Sequence, residues 1–158
     1  MSLSKGEWAD VKVKLSSAYG GEVSLKCDDY LLSPRVVQRN MRLVIMVYVD
    51  GYFRGRDVWY GKESKLAEMS NIARRFYCLH SKGQPAKQAA LLMKIYGKKG
   101  CQERGYLEKS CYAYPEFRTP GAFIAHIKKH NPSIELLDYE TFAKLRAAQP
   151  EEVINATE

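Results

Sequence analysis

The stretch LVIMVYV, residues 43–49, followed by Asp50-Gly51, limits the fold more than any other part of the chain. It is apolar at every position, so a strand here needs cover on both faces. Seven residues are far too few to span a bilayer, which leaves the interior of a sheet, and the stretch is predicted to be the sheet centre. Asp50-Gly51 is a strong signal for a type I′ turn, which needs two residues with positive φ. The chain is therefore expected to return from Tyr52 to about Trp59, broken by Gly55, with Tyr48 and Tyr52 as a cross-strand pair.

The segments before this hairpin extend the sheet. Val23, Leu25 and Cys27 alternate with polar residues in EVSLKC, as in a half-buried strand. The DDY at 28–30 reads as a turn into a second strand that reaches about Val37. Pro34 inside that strand predicts an edge position or a bulge, because proline has no N–H for the ladder. Ahead of the sheet, Ser4 and Glu7 have the spacing of a capping box, with Leu3 and Trp8 placed as a hydrophobic staple. Trp8, Val11 and Leu15 then recur at helical spacing until YGG at 19–21.

From Ser64 the apolar period becomes helical. Leu66, Met69, Ala73 and Phe76 predict a helix over about 64–78. SKGQP interrupts it, and Pro85 suits the first turn of a second helix with an inner stripe of Ala89, Leu92, Met93 and Tyr96. SCYAYPEF, residues 110–117, alternates aromatic with small or polar groups and is a candidate fifth, late strand with Tyr112 and Tyr114 on one face. Thr119-Pro120 opens a helix to about His130, NPSIELL is a connector with one short extended piece, and a last helix runs from Tyr139 to Ala148. The predicted fold is α+β: an N-terminal helix, an antiparallel sheet of about four strands, then helices packed on one face. One domain is expected over 1–150, with 151–158 as a flexible tail.

Charge bears on function. Residues 1–107 hold 19 Lys and Arg against 10 Asp and Glu, whereas residues 108–158 hold 6 against 8. From Met69 to Gln102 there is no acid, yet the window carries Arg74, Arg75, Lys82, Lys87, Lys94, Lys98 and Lys99. A phosphate backbone asks for several cations without nearby carboxylates. Lys87, Lys94 and Lys98 fall at i, i+7 and i+11, one stripe opposite the apolar one, and a hairpin of the two helices would add Arg74 and Arg75. This surface is the candidate site for nucleic acid or an acidic host protein; a solvated lysine face is the plain alternative. An exposed tyrosine face beside it would suit stacking on single-stranded bases or a protein contact, although packing is the commoner fate of such rings.

Signals for chemistry are few. Cys101, Cys111, His126 and His130 are weak candidates for a metal site, the histidines sharing a helix face at i, i+4. The C-x9-C spacing is not a tight zinc knuckle, and Phe123 and Ile127 account for that helix without a metal. Cys78 and His80, read as helical, do not face each other. The phosphate-binding, nucleotide-binding, metalloprotease and serine-hydrolase signatures are all missing, so no catalytic residue and no cofactor is expected. Four cysteines in 158 residues do not form a disulfide scaffold. With no secretory start in MSLSKGEW, an intracellular, cytoplasmic protein without a membrane partner is expected, and the sequon at Asn155 is idle.

LSKGEWADVKVKLSSAYGGEVSLKCDDY, MRLVIMVYVDGYFRG, RRFY and HIKKHNPSIELL resemble small proteins encoded in phages and prophages of proteobacteria. The likeness covers most of residues 3–137 and contains no catalytic motif, so it carries over no functional residue. It implies a protein made in the host cell during infection or lysogeny. The expected role is a non-enzymatic accessory that binds nucleic acid, or a nucleic-acid-bound host complex, through the basic helical surface. A second class is an anti-defence or host-takeover inhibitor on an acidic protein surface. A third is an enzyme with an unrecognised site around Cys78, Cys101 or Cys111 and the histidines.

Overall fold

A computed structural model describes residues 3–53 and 58–149. Gly55 and the tail 151–158 with Asn155 lie outside the described residues. The fold is α+β, as the sequence predicts: an N-terminal helix, an antiparallel five-stranded sheet, and further helices. A second, three-stranded sheet was not foreseen.

Helix α1 spans Lys5–Lys14 and opens on the expected capping box. The Glu7 N–H donates to Ser4 Oγ at 3.3 Å, and the Ser4 N–H donates to the Glu7 carboxylate at 2.7 Å. Trp8, Val11 and Leu15 are buried. The helix stops before YGG because the chain doubles back tightly on it. A Cβ on Gly21 would stand 1.9 Å from the Lys14 carbonyl oxygen, so only glycine fits there.

Strands β1 (Ser24–Cys27), β2 (Tyr30–Arg39) and β3 (Arg42–Val49) form a meander. Two short strands complete the sheet, β7 (Glu116–Phe117) beside β3 and β8 (Ile134–Leu137) beside β1. The sheet order is β7-β3-β2-β1-β8. The centre is thus β2, not β3, and Pro34 lies inside it rather than at an edge. The proline is tolerated because its missing donor falls opposite Val23, just ahead of the start of β1. Its carbonyl still accepts from the Val23 N–H at 3.2 Å, and the pairing register resumes at Glu22 and Arg35.

Asp50 and Gly51 adopt the positive φ values that the turn requires, 52° and 82°. Of the predicted return strand, residues 54–57 lie outside the described residues, and Phe53, Val58 and Trp59 are not in a strand. A single bridge joins Val49 to Tyr52, and β7 pairs with β3 instead. The turn is held by other contacts: Asp50 Oδ1 accepts from the Leu31 N–H at 2.9 Å and from Gln149 Nε2 at 3.1 Å. The expected Tyr48–Tyr52 pair is therefore absent; Arg35 lies over Tyr48, and Arg146 near Tyr52.

The helix predicted over 64–78 divides into a 3-10 helix, Glu63–Glu68, and α2, Asn71–Phe76. Ser70 interrupts it by capping α2, accepting from the Ala73 N–H at 3.1 Å. The chain then extends as β5 (Cys78–Lys82), which no apolar alternation announces. Helix α4 (Pro120–His130) starts on its expected cap, Thr119, and α5 (Tyr139–Ala148) on Asp138, a cap that was not foreseen. The inner face of the sheet, with Leu25, Leu32, Val36, Ile45, Val47 and Val49, meets Trp8 and Val11 of α1, Ala73 and Phe76 of α2, and Phe123 and Ile127 of α4 in one cluster.

Helix α3 (Ala86–Glu103) departs most from expectation. Its predicted inner stripe is only partly packed, with Ala89 and Leu92 half-buried. Met93 is 44% exposed and Tyr96 39%, while Leu91 and Ile95 reach 56% and 61%. Within α3 only Cys101 is buried. Gly97, at φ 70° and ψ 168°, breaks the helical geometry, so Lys98 does not continue the line of Lys87 and Lys94.

Two substitutions test this architecture. Asn40 and Met41 both have positive φ in the β2–β3 turn, at 48° and 59°, and Met41 is almost wholly exposed. Met41→Gly should raise unfolding stability by about 0.5–1 kcal/mol in urea titration, since the left-handed strain removed exceeds the added chain entropy. Phe76 is fully buried with its ring edge-on to Tyr30 at 5.2 Å. Phe76→Ala should cost about 3–5 kcal/mol in the same assay.

Candidate nucleic-acid interface

The basic window is not one surface. Arg75 is withdrawn from it. Its guanidinium pairs with Asp28, donates from Nε to Asn131 Oδ1 at 2.9 Å, and lies over the rings of Phe76 and Tyr30. A charge taken out of water must be matched by partners, and these contacts tie α2 to the β1–β2 turn and to the end of α4. Arg74 remains exposed, with Nη2 donating to the Ala67 carbonyl at 3.1 Å. Lys82 ends β5, and Lys87 and Lys94 stand exposed on α3. Lys98 and Lys99 follow the break at Gly97, and Lys99 has Glu103 at 3.9 Å, an exposed pair that contributes little. The hairpin of α2 and α3 that would add Arg74 and Arg75 to the lysines does not form, because β5 lies between the two helices.

The metal candidates do not assemble. Among the described residues no group of three or more His, Cys, Asp or Glu side chains is placed to hold an ion. Cys101 and Cys111 are buried free thiols, while His126 and His130 lie ring to ring at 4.5 Å on α4. Burial, with His130 and Lys129 adding to it, pushes the His126 imidazole down to about 4, the carbonyls of Arg75 and Arg74 acting the other way. Burial also raises the Cys27 thiol to about 12 and lifts Cys78, which disfavours a thiolate nucleophile at either. Cys78 and His80 are on a strand, not a helix, so they share one face after all.

That face carries what the sequence reading missed. Strands β4 (Tyr60–Lys62), β6 (Ser110–Tyr114) and β5 form the second sheet, in the order β4-β6-β5. Tyr60 and His80 both pair in register with Tyr112. Because side chains alternate, these three rings point to the same side. His80 stacks on Tyr112 at 5.2 Å and 15°, and Tyr60 on Tyr112 at 6.4 Å and 24°. Tyr114 stands edge-on to both tyrosines, and its hydroxyl is hydrogen-bonded to that of Tyr60. The other side of β6, Cys111 and Ala113, is buried.

A basic row lies one step along the same strands. Lys82 and Lys62 both pair with Ser110, two residues from the rings and on the same side. Lys62 is engaged by Glu108 at 2.6 Å, whereas Lys82 has no ion-pair partner among the described residues. Four residues lie between Lys82 and Lys87, so the two are at most about 18 Å apart along the backbone. The rings and the α3 lysines are thus neighbours along the chain. The pairing of Tyr112 with Tyr114 was legible from SCYAY, but the parts of His80 and Tyr60 depend on strand register.

Comparison with protein-family models, with curated proteins and with solved structures finds no match. Among the described residues no helix is long and apolar enough to cross a membrane.

The histidine environment generates a pH prediction. With a folded value near 4 against an ordinary 6.5, His126 is neutral in the fold where the unfolded chain binds a proton. Stability should therefore be complete above pH 6.5 and fall as the pH drops toward 4. Melting curves at pH 7.5 and 5.0 should show a lower Tm at pH 5.0 and a smaller drop in His126→Met. An equal drop in both proteins would remove His126 as the cause.

Proposed function

We propose that the protein binds nucleic acid, or a host complex that carries it, as a non-enzymatic accessory of the phage type that its sequence resembles. The observation that carries this reading is a set of exposed cations without carboxylate partners. Lys82, Lys87, Lys94 and Lys98 are exposed, make no ion pair among the described residues, and lie in a 34-residue window free of acid. Phosphates compete with no carboxylate for these groups, so counterion release can act in full. The contribution of Arg75 is dropped, because its charge serves the fold.

Fluorescence anisotropy with a labelled oligonucleotide at several salt concentrations tests the reading. With four to five phosphates engaged, log K should fall against log[salt] with a slope of about −3 to −4 for a single strand. Reversing three cations together, Lys82→Glu, Lys87→Glu and Lys94→Glu, should weaken binding at least about tenfold and flatten the slope by roughly one per lost contact. Absence of binding at low salt, or an unaltered slope in the triple variant, would overturn it.

The exposed apolar side of α3 favours a second reading, a host-directed inhibitor that meets an acidic protein surface. Leu91 and Ile95 are more than half exposed beside the lysines. A host protein retained after nuclease treatment, and released by Leu91→Gln with Ile95→Gln while oligonucleotide affinity stays constant, would favour that reading.

A further inference from the structure

We infer that the nucleic acid is held as a single strand, its bases stacking on the ends of the His80–Tyr112–Tyr60 ring row. This rests on the reading above and adds the ligand class and the contact that selects it. The row crosses three strands, and the near-parallel rings stand 5.2 and 6.4 Å apart, wider than the strand spacing of about 4.8 Å. Tyr112 has a ring on each face, so its own π surface is occupied. The row instead ends on the outer faces of Tyr60 at the β4 edge and of His80 at the β5 edge. Tyr60 remains 64% exposed although it already touches two rings, which leaves room for another planar group on its far side.

The row is also held in place. The hydroxyl bond from Tyr60 to Tyr114 limits rotation of the terminal ring, and β6 below it is anchored by the buried Cys111 and Ala113. A base that extends a pre-ordered stack loses less freedom than one that must order the rings itself. Lys82, two residues along β5 from His80, offers a phosphate contact on the same face while a base occupies the ring. Bases inside a duplex are already stacked on each other and cannot present a face to these rings. Helix α3 could reach a duplex groove only with Gln88 and lysines among its polar side chains before Gly97, so it is poorly furnished for base readout. Stacking is indifferent to base identity, so little sequence preference is expected.

The test uses the full chain and three labelled 15-nucleotide probes at one salt concentration: an oligothymidylate, the same length of abasic deoxyribose-phosphate strand, and a 15-base-pair duplex. The thymidylate should bind about tenfold or more tighter than the abasic strand, which keeps the phosphates and lacks the rings. Tyr60→Leu should remove most of that advantage while leaving abasic and duplex binding and the salt slope unchanged. Tyr60→Phe, which keeps the ring and loses the bond to Tyr114, should retain at least half of it on a logarithmic scale. Equal affinity for thymidylate and abasic strands would overturn the inference and leave phosphate binding standing, as would a loss in Tyr60→Phe equal to that in Tyr60→Leu. No binding of any probe at low salt would overturn both. Circular dichroism melts of each variant identify a loss of affinity due to unfolding, and the abasic comparison needs no variant.

Discussion

The arrangement depends on one short strand, β6. It is the middle strand of the second sheet, so β4 and β5 pair only through it. Its alternate side chains serve two purposes. Cys111 and Ala113 face inward and are buried, whereas Tyr112 and Tyr114 face outward and carry the ring row. Pro115 then ends its pairing, is itself buried, and passes its carbonyl to the Val47 N–H at 2.8 Å. The chain continues directly into β7 on the first sheet. Eight consecutive residues thereby fasten the aromatic face to the main core, and a proline is compatible with this because the pairing partner changes there.

Electrostatics divide the basic window by burial rather than by sequence position. Arg75 is mostly removed from solvent and surrounded by Asp28, Asn131 and two rings. Asn131, itself buried, passes the network on by donating from Nδ2 to the Ile127 carbonyl at 3.0 Å. Arg74, the adjacent residue, stays at the surface. Helix α3 represents the opposite case. Its first eleven residues, up to Gly97, are short for a helix that must stand without packing. Leu91, Met93 and Ile95 are nevertheless left largely in water, so much of the burial that stabilises α1, α2 and α4 is missing here.

Local signals in the sequence were read correctly where a few neighbouring residues settle the outcome. The capping residues Ser4 and Thr119, the alternation of Val23, Leu25 and Cys27, and the positive φ values at Asp50-Gly51 all depend on contacts within one turn or one strand. The readings that failed were of pairing. The apolar run 43–49 looked central because both faces are apolar, yet it sits next to a two-residue edge strand. Strand β5 spans the end of the predicted helix and the start of the predicted break at SKGQP, because CLHSK shows no apolar alternation. The Lys87–Lys94–Lys98 line assumed an unbroken helix, and Gly97 departs from it.

The class of fold, the caps of α1 and α4, the inner stripes of α1, α2 and α4, and the absence of acid from Met69 to Gln102 are all legible in the residues alone. Periodicity and charge count need no knowledge of what lies opposite. Tertiary structure alone decided that Arg75 is spent on the fold, that α3 has no core to enter, and that His80, Tyr112 and Tyr60 form one row. The row depends on register between residues 28 to 52 apart in the chain, and the other two on which elements pack together. Register follows from which faces can be buried together, and no local window contains that information.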